Sequence, residues 1–389
     1  MDWHKLKIAY LHGRPGPHWT SRAFASSIKA EFHFIDEIAR WHDLTLPAWK
    51  RYWRWLQNAL YFPYERFDVI FLDGPHIWPP IGKLLRSIKT PLIPHMNNET
   101  LYFLYANYYH PITKRGYIYA LSHYNALITS GKMQQNLARA VLGSKCPPTF
   151  PVILGVPDEK LSSIPVKNSH AEPVVLLIAH GTGGWRTYYK GLDLWIEVIQ
   201  RAAQQVKGLE GWIVGQWDDT EKERLLRAFP GAPVRFLGAM EDVYSVLPQV
   251  SLYLHLGRGE AWGVAILEAM AGGIPAIVSE WTGAAEVVEQ VWPEGVVPLS
   301  AEKATEAVVR YFSLTETEKR LLSEKSATLI REKYRLSQAI VIFQSAFEEA
   351  LFDIILSDGR ADPAQDGRER NGSPYYPVAQ KTRRPRRSR

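Results

Sequence analysis

Two carboxylates, Glu260 and Glu268, stand in an otherwise apolar, glycine-punctuated stretch, "GRGEAWGVAILEAMAGGIP", residues 257–275. The run before it, "VSLYLHLG", reads as a strand, and "GVAILEAMA" reads as a helix stopped by Gly272, Gly273 and Pro275. Gly257, Gly259 and Gly263 let backbone come close to a ligand. A helix starting near Gly263 also offers unpaired N–H groups and a positive dipole end, which suit an anion such as phosphate. Glu260 falls just before that start, whereas Glu268 lies inside a helix apolar enough to be buried, where a charge needs partners. Spacing alone leaves two readings open. Either both carboxylates meet a ligand, or Glu268 bonds a neighbouring backbone group or basic side chain and Glu260 is solvated. Asp218 and Asp219 in "QWDDT" are an adjacent Asp pair that could suggest a metal, but they follow a strand and precede the helical "EKERLLRAF", where capping accounts for them. No metal site is expected.

Loops that do chemistry need elements to hold them. Short apolar runs alternate with helical patterns along the chain, the signature of an α/β protein with parallel sheets covered by helices. The strands expected in the first half are "KIAYL", "FHFI", "DVIFL", "PLIPH", "ALITS" and "PVILG"; in the second, "VVLLIAH", "GWIVG", "VRFLG", "VSLYLHL", "PAIVS" and "GVVPL". Between the sets, "VPDEKLSSIPVKNSHAEP" is rich in Pro, Ser and charge and has no periodicity, as a linker would. The expected plan is a doubly wound, Rossmann-like domain over 1–156, a linker over 157–172, a second such domain over 173–334, a closing helix over 335–356 and a disordered basic tail over 357–389. Two such domains face each other across a central cleft, with ligands at the carboxyl ends of the strands.

Composition narrows the partners. The chain has 389 residues, 46% of them hydrophobic, which is enough for two cores. Its net charge of +6 would suggest nucleic acid, yet residues 357–389 hold nine Lys/Arg against four Asp/Glu, so the rest is nearly neutral. Nucleic acid is not an expected partner. One cysteine, Cys146, excludes an internal disulfide and suits a reducing, cytoplasmic compartment. The N-terminal apolar run is too short for a signal-peptide core, and no long uncharged apolar span occurs, so a soluble or peripheral protein is expected.

"EAWGVAILEAMAGGIPAIVSEWTGAAEVV" resembles the signature of family 4 retaining glycosyltransferases of the GT-B fold, whose two glutamates are likewise separated by seven residues. "HGTGGWRTYYKGLDLWIEVI" is similar to the loop and helix that carry an Arg and a Lys for the donor diphosphate in that family; "WIVGQW" and "VRFLGAMEDV" resemble the strands that follow. Where the family usually has Gly then Phe, Ala261 and Trp262 stand here. The resemblance implies a retaining, metal-independent enzyme with no cofactor, taking a nucleotide-diphospho-sugar as co-substrate. It implies that Lys190, Arg186 and the helix N–H groups at Gly263 and Val264 meet the diphosphate, and that Glu268 accepts hydrogen bonds from the ribose. Glu260 then stands at the donor sugar, and the backbone of Ala239 and Met240 at the base. In the first domain, Gly13 and Gly16 of "HGRPGPHW" are implied at the diphosphate and His95, after "PLIP", near sugar and acceptor. Lys190 reads as lying at a helix start, where a cation opposes the dipole and so argues for an external anion.

The stretch 41–66 interleaves Trp41, Trp49, Tyr52, Trp53, Trp55, Tyr61, Phe62 and Tyr64 with Lys50, Arg51, Arg54 and Arg66. Amphipathic aromatics among cations suit a peripheral membrane contact at the inner face, a sugar-binding wall, or a surface helix with one buried side. The function expected is transfer of a sugar to a glycan, lipid-linked or small-molecule acceptor. The rivals are another GT-B activity, such as a sugar-nucleotide epimerase or a phosphorylase, and a non-catalytic nucleotide-sugar or carbohydrate binder.

Overall fold

The computed structural model describes residues 5–12, 19–34, 47–166, 172–181 and 184–357. Gly13, Gly16, Trp41, part of the linker and the tail beyond Ser357 lie outside them. The first sheet holds β1 (Ile8–His12), β2 (Glu31–Phe34), β3 (Val69–Asp73), β4 (Leu92–Met96), β5 (Leu127–Ser130) and β6 (Thr149–Val152) in the order β2-β1-β3-β4-β5-β6. Its strands pair in parallel. Side chains alternate between two covered faces, which is why these strands read as continuous apolar runs. Ile8, Tyr10, Val69 and Phe71 point to one core, and Ala9, Leu11, Ile70 and Leu72 to the other. The second core lies under α2 (Ala48–Tyr61), α3 (Trp78–Arg86), α4 (Thr100–Tyr105), α5 (Pro111–Ser122) and α6 (Gly131–Leu142); α1 (Trp19–Ser27) covers the first. The last strand is Thr149–Val152, earlier than "PVILG", because it pairs with Leu127–Ser130 and the chain then leaves the sheet.

The linker is not structureless, since α7 (Asp158–Ser163) forms within it and buries Leu161. The second sheet holds β7 (Val174–Ile178), β8 (Glu210–Val214), β9 (Val234–Gly238), β10 (Leu252–His255), β11 (Ala276–Ser279) and β12 (Val296–Val297), ordered β12-β11-β10-β7-β8-β9. Its helices are α8 (Gly184–Lys190), α9 (Leu192–Ala202), α10 (Asp219–Ala228), α11 (Val264–Ala271), α12 (Ala285–Val291), α13 (Ala301–Ser313) and α14 (Glu316–Lys333). The α9 pattern buries Leu192, Trp195, Ile199 and Ala202 on the sheet, and the Trp195 indole N–H donates to the Leu254 carbonyl at 3.0 Å. Both sheets are doubly wound, and the strand order reverses between β1 and β3 in one and between β7 and β10 in the other.

Two features join the halves. The last helix, α15 (Leu336–Ser357), returns to the first domain, where Phe343 stacks on Phe24 at 4.4 Å and packs on Phe71 at 5.3 Å. Aromatic pairs bridge the domains as well: Tyr102–Trp281 at 5.3 Å, Tyr108–Tyr188 at 5.5 Å and Phe103–Tyr189 at 6.1 Å. Among the described residues no helix is long and apolar enough to cross a membrane.

Candidate active site in the interdomain cleft

A cavity of about 1110 Å³ opens at the carboxyl ends of both sheets, lined from the first domain by Trp19, Thr20, Ser21 and Asn97 and from the second by the loops after β7, β8, β9 and β10. This is where doubly wound sheets hold ligands. The loop after β10 carries Glu260. Its carboxylate lies 2.5 Å from Lys190 Nζ, and the same oxygen is 3.5 Å from His255 Nε2, too long for a well-formed hydrogen bond. Burial pushes this carboxyl up, but the Lys190 ammonium and the neighbouring His255 outweigh it and hold the group well below the usual carboxylate range. Glu260 is therefore an ionised carboxylate in a nearly enclosed site, its side chain 12% exposed.

Lys190 is placed by backbone. It ends α8, and Gly191, at φ +67°, turns the chain directly into α9; a Cβ there would lie 1.9 Å from the Leu256 carbonyl oxygen. Lys190 therefore sits at a helix C-terminus, where the dipole favours a cation, rather than at the helix start expected. The dipole argument for an external anion fails, and the ion pair with Glu260 accounts for the lysine's position. Arg186, one turn earlier, stacks on Trp185 at 5.1 Å and Tyr189 at 5.7 Å, and makes no ion pair among the described residues. Both cations line the cavity with His180, whose pKa is lowered by burial and by those cations. Across the cleft Glu99 precedes α4, and burial raises its carboxyl.

Glu268 projects from α11 and is buried, 8% exposed. Its Oε1 accepts from the Tyr244 hydroxyl at 3.0 Å and from Lys160 Nζ of α7 at 3.3 Å. Of the two readings left open by spacing, partners from basic and polar side chains are present, and the carboxylate also lines the cavity. Gly263 caps α11 at φ +88°, a conformation that favours glycine, and Gly263 and Val264 face the cavity, as do Ala239 and Met240 beyond β9.

The loop that carries Glu260 is clamped. Arg258 is buried, grips Asp193 through two bonds at 2.8 and 2.9 Å, and donates to the Tyr188 carbonyl at 2.6 Å. Gly259, at φ +88°, lies against α4, where a Cβ would come within 2.2 Å of Tyr102 Cβ. Neither Arg258 nor Asp193 announced this in the sequence, because the pair spans elements.

Two expectations need correction. His95 lies within the strand that "PLIPH" predicted, but as the fourth residue of β4 it is 1% exposed and bonded to Ser130 Oγ at 3.1 Å, and burial pushes its pKa down to about 4. It does not line the cavity, so the role implied for it near sugar and acceptor has no support in its placement. Asp218 occupies the N-cap position of α10 but makes no side-chain cap bond, while Asp219 pairs with Lys222 at 2.9 Å; helix-start charge, not capping, describes the pair. In the stretch 41–66, Phe62 and Tyr64 are core while Trp49, Trp53 and Tyr61 are exposed.

The first domain's own contribution went unread. At the β1/β3 reversal, Asp73 bonds His12 Nε2 at 2.8 Å, Ser21 Oγ at 2.8 Å and Asn97 Nδ2 at 2.5 Å. Burial raises that carboxyl, but His12 and Ser21 bring it below the ordinary range. Ser21 and Asn97 reach the cavity wall through it. The acid at the end of "DVIFLD" was visible, but its three partners lie on other elements.

Residues 175–313, β7 through α13, match the family "Glycosyl transferases group 1". No curated protein sequence matches the chain. Among solved structures it is similar to a sucrose-phosphate synthase from Thermosynechococcus elongatus, at 16% identity over 90% of this chain and 99% of that one, TM-score 0.67. It is similar to Anabaena HepE in complex with UDP-glucose, at 16% identity over 89% and 100%, TM-score 0.64. It is also similar to an S. aureus TarM mutant in complex with fondaparinux, alpha-GlcNAc-glycerol and UDP, at 15% identity and TM-score 0.56, covering 75% of this chain and 58% of that longer one. The architecture is GT-B.

Proposed function

We propose that this protein is a retaining glycosyltransferase that moves a sugar from a nucleotide-diphospho-sugar to an acceptor and does so without a metal. The observation that carries the reading is the convergence of Lys190, Arg186, the α11 start, Glu260 and Glu268 on one cavity at the carboxyl ends of two facing sheets. Glycosyl transfer loads negative charge onto the leaving diphosphate while the sugar becomes oxocarbenium-like. Fixed cations and helix N–H groups stabilise the first charge without reorganising. Glu260, held ionised, suits the second. Glu268 with Tyr244 makes an acceptor-rich pocket for ribose hydroxyls. Retention and metal independence are supported by this charge pattern and by the resemblance of the motif. A reducing, cytoplasmic setting belongs to the same proposal and rests on the single cysteine.

Thermal shift with UDP, GDP and ADP tests the donor site. The matching nucleotide at a hundredfold its dissociation constant should stabilise the fold by about 2.7 kcal/mol. Turnover of the matching nucleotide-sugar should persist in EDTA, and the product should keep the donor's anomeric configuration by NMR. No shift with any of the three, or turnover abolished by EDTA and restored by Mg²⁺ or Mn²⁺, defeats the corresponding part. Nucleotide binding without turnover on any acceptor favours the non-catalytic binder.

A further inference from the structure

The exposed residues of α2 do not belong to the cleft. Trp49 is 66% exposed, Trp53 58% and Tyr61 77%, and on the packed neighbour α3, Leu84 and Leu85 are 63% and 57% exposed. The two helices meet closely, since a Cβ on Gly82 would lie 2.1 Å from the Ala59 carbonyl oxygen. Trp49 and Trp53 stand one helical turn apart and so share one side of α2, and such exposed indoles are apolar surface that a soluble monomer rarely leaves uncovered. Charge says what fits it. Within its 14 residues α2 carries Lys50, Arg51 and Arg54 and no carboxylate, with Lys50 Nζ 5.5 Å from the Trp49 ring centroid. The globular part as a whole is nearly neutral, so this cationic density is local.

We infer that the α2–α3 face is a docking surface for an anionic lipid bilayer. Trp and Tyr have an apolar body and a polar edge and settle at the headgroup level, while Lys and Arg beside them meet lipid phosphates. A second copy of the chain fits worse, because like charges would then oppose one another across the contact. The helix also has a direction. The Phe62 carbonyl, just past its end, accepts from Arg86 at the end of α3, beside the start of β4; the end of α2 is thus at the amino edge of the sheet. Trp49, Lys50 and Trp53 lie in its first half, on the side of the carboxyl edge where the cleft opens. A bilayer on this face would hold the cleft mouth near its surface, within reach of an acceptor carried on a lipid. The bilayer contact itself does not depend on the reaction proposed above.

Co-sedimentation of the full chain with vesicles of phosphatidylcholine and phosphatidylglycerol, against phosphatidylcholine alone, tests it. Binding should require the anionic lipid and weaken with salt. It should fall about fivefold for each of Lys50→Gln and Arg54→Gln, and by on the order of tenfold for Trp49→Ser combined with Trp53→Ser. All four side chains are at least partly exposed, so folding and nucleotide affinity, read by circular dichroism and UDP calorimetry, should be unchanged. A full-length chain with the six Lys/Arg of residues 381–389 replaced by Gln separates the basic tail. Three results overturn the inference: no binding to either vesicle, binding lost with the tail charges but kept in the α2 variants, or lipid-free self-association abolished by the tryptophan variant. A chain that binds vesicles but shows no thermal shift with UDP, GDP or ADP removes the donor proposal and leaves this one standing.

Discussion

Glu260 and Glu268 occupy one loop-helix segment yet face different partners, and their substitutions should fail differently. Glu268→Gln keeps shape but replaces an ionised acceptor by an amide. Hydrogen bonds to ribose weaken by roughly 1 to 3 kcal/mol in ground and transition states alike. Donor KM should rise with little change in kcat, and UDP affinity should fall by calorimetry. In the proposed reaction Glu260→Gln removes a negative charge beside the developing cation, so kcat should drop. It also releases Lys190 from its 2.5 Å pair, leaving the ammonium to the diphosphate, so UDP affinity should be kept or improved. Loss of UDP binding in Glu260→Gln would reverse the two roles. The same pair has a pH signature. Because the folded-state pKa of Glu260 is depressed, the stability it contributes is present above the unfolded glutamate value of about 4.3 and is lost as pH falls below it toward the folded value. Thermal midpoints between roughly pH 3 and 6 should fall with acid in the wild type and more shallowly in Glu260→Gln. Parallel acid limbs would mean the pair is not linked to folding.

At the scale of elements, glycines decide where the cations sit. Gly191 joins α8 to α9 in a left-handed conformation with the Leu256 carbonyl directly beneath it, so a methyl group has no room. Gly191→Ala strains the backbone and forces either α9 off the sheet or Lys190 away from Glu260. A destabilisation of about 1–3 kcal/mol in urea is expected, with turnover falling more than the stability loss explains. Wild-type kinetics in a folded Gly191→Ala protein would show that the junction does not position the lysine. The same stretch shows what was legible. "YYKGLDLW" announced a glycine at a helix boundary, but the residue before it ends one helix rather than starting the next, because two short helices abut at the glycine. Strand runs were readable wherever both faces are buried, since burial writes continuous apolar sequence. β6 slid because its outer residues are half-exposed.

In the whole molecule the chain's last helix belongs to its first domain. α15 lays Phe343 and Phe347 against Phe24 and Phe71, so the core beside β1 and β3 is completed by residues from the other end of the described sequence. Phe343→Ala should cost about 3–5 kcal/mol. By hydrogen exchange the loss should appear first in β1, β3 and α1 of the first domain and spare β7–β11. Protection lost mainly around β7 and β10 would contradict that packing.

Sequence alone determined the α/β class, the two sheets, the GT-B plan and the loop-helix of Glu260 and Glu268. The class, the sheets and the loop-helix follow from local periodicity and glycine placement, written within one or two dozen residues, whereas the GT-B plan was implied by the resemblance of the Glu260 and Glu268 motif to a known family. Pairings between elements were decided only by the tertiary structure. Lys190 meets Glu260, Glu268 meets Tyr244 and Lys160, and Asp73 gathers His12, Ser21 and Asn97 across separations of 24 to 108 residues. The same holds for His95, whose "PLIPH" reads equally as strand or strand end. Its burial depends on Phe24 of α1 and on the neighbouring strands that enclose it. A side chain's charge state and its exposure are set by what packs around it in space, and no local pattern records that.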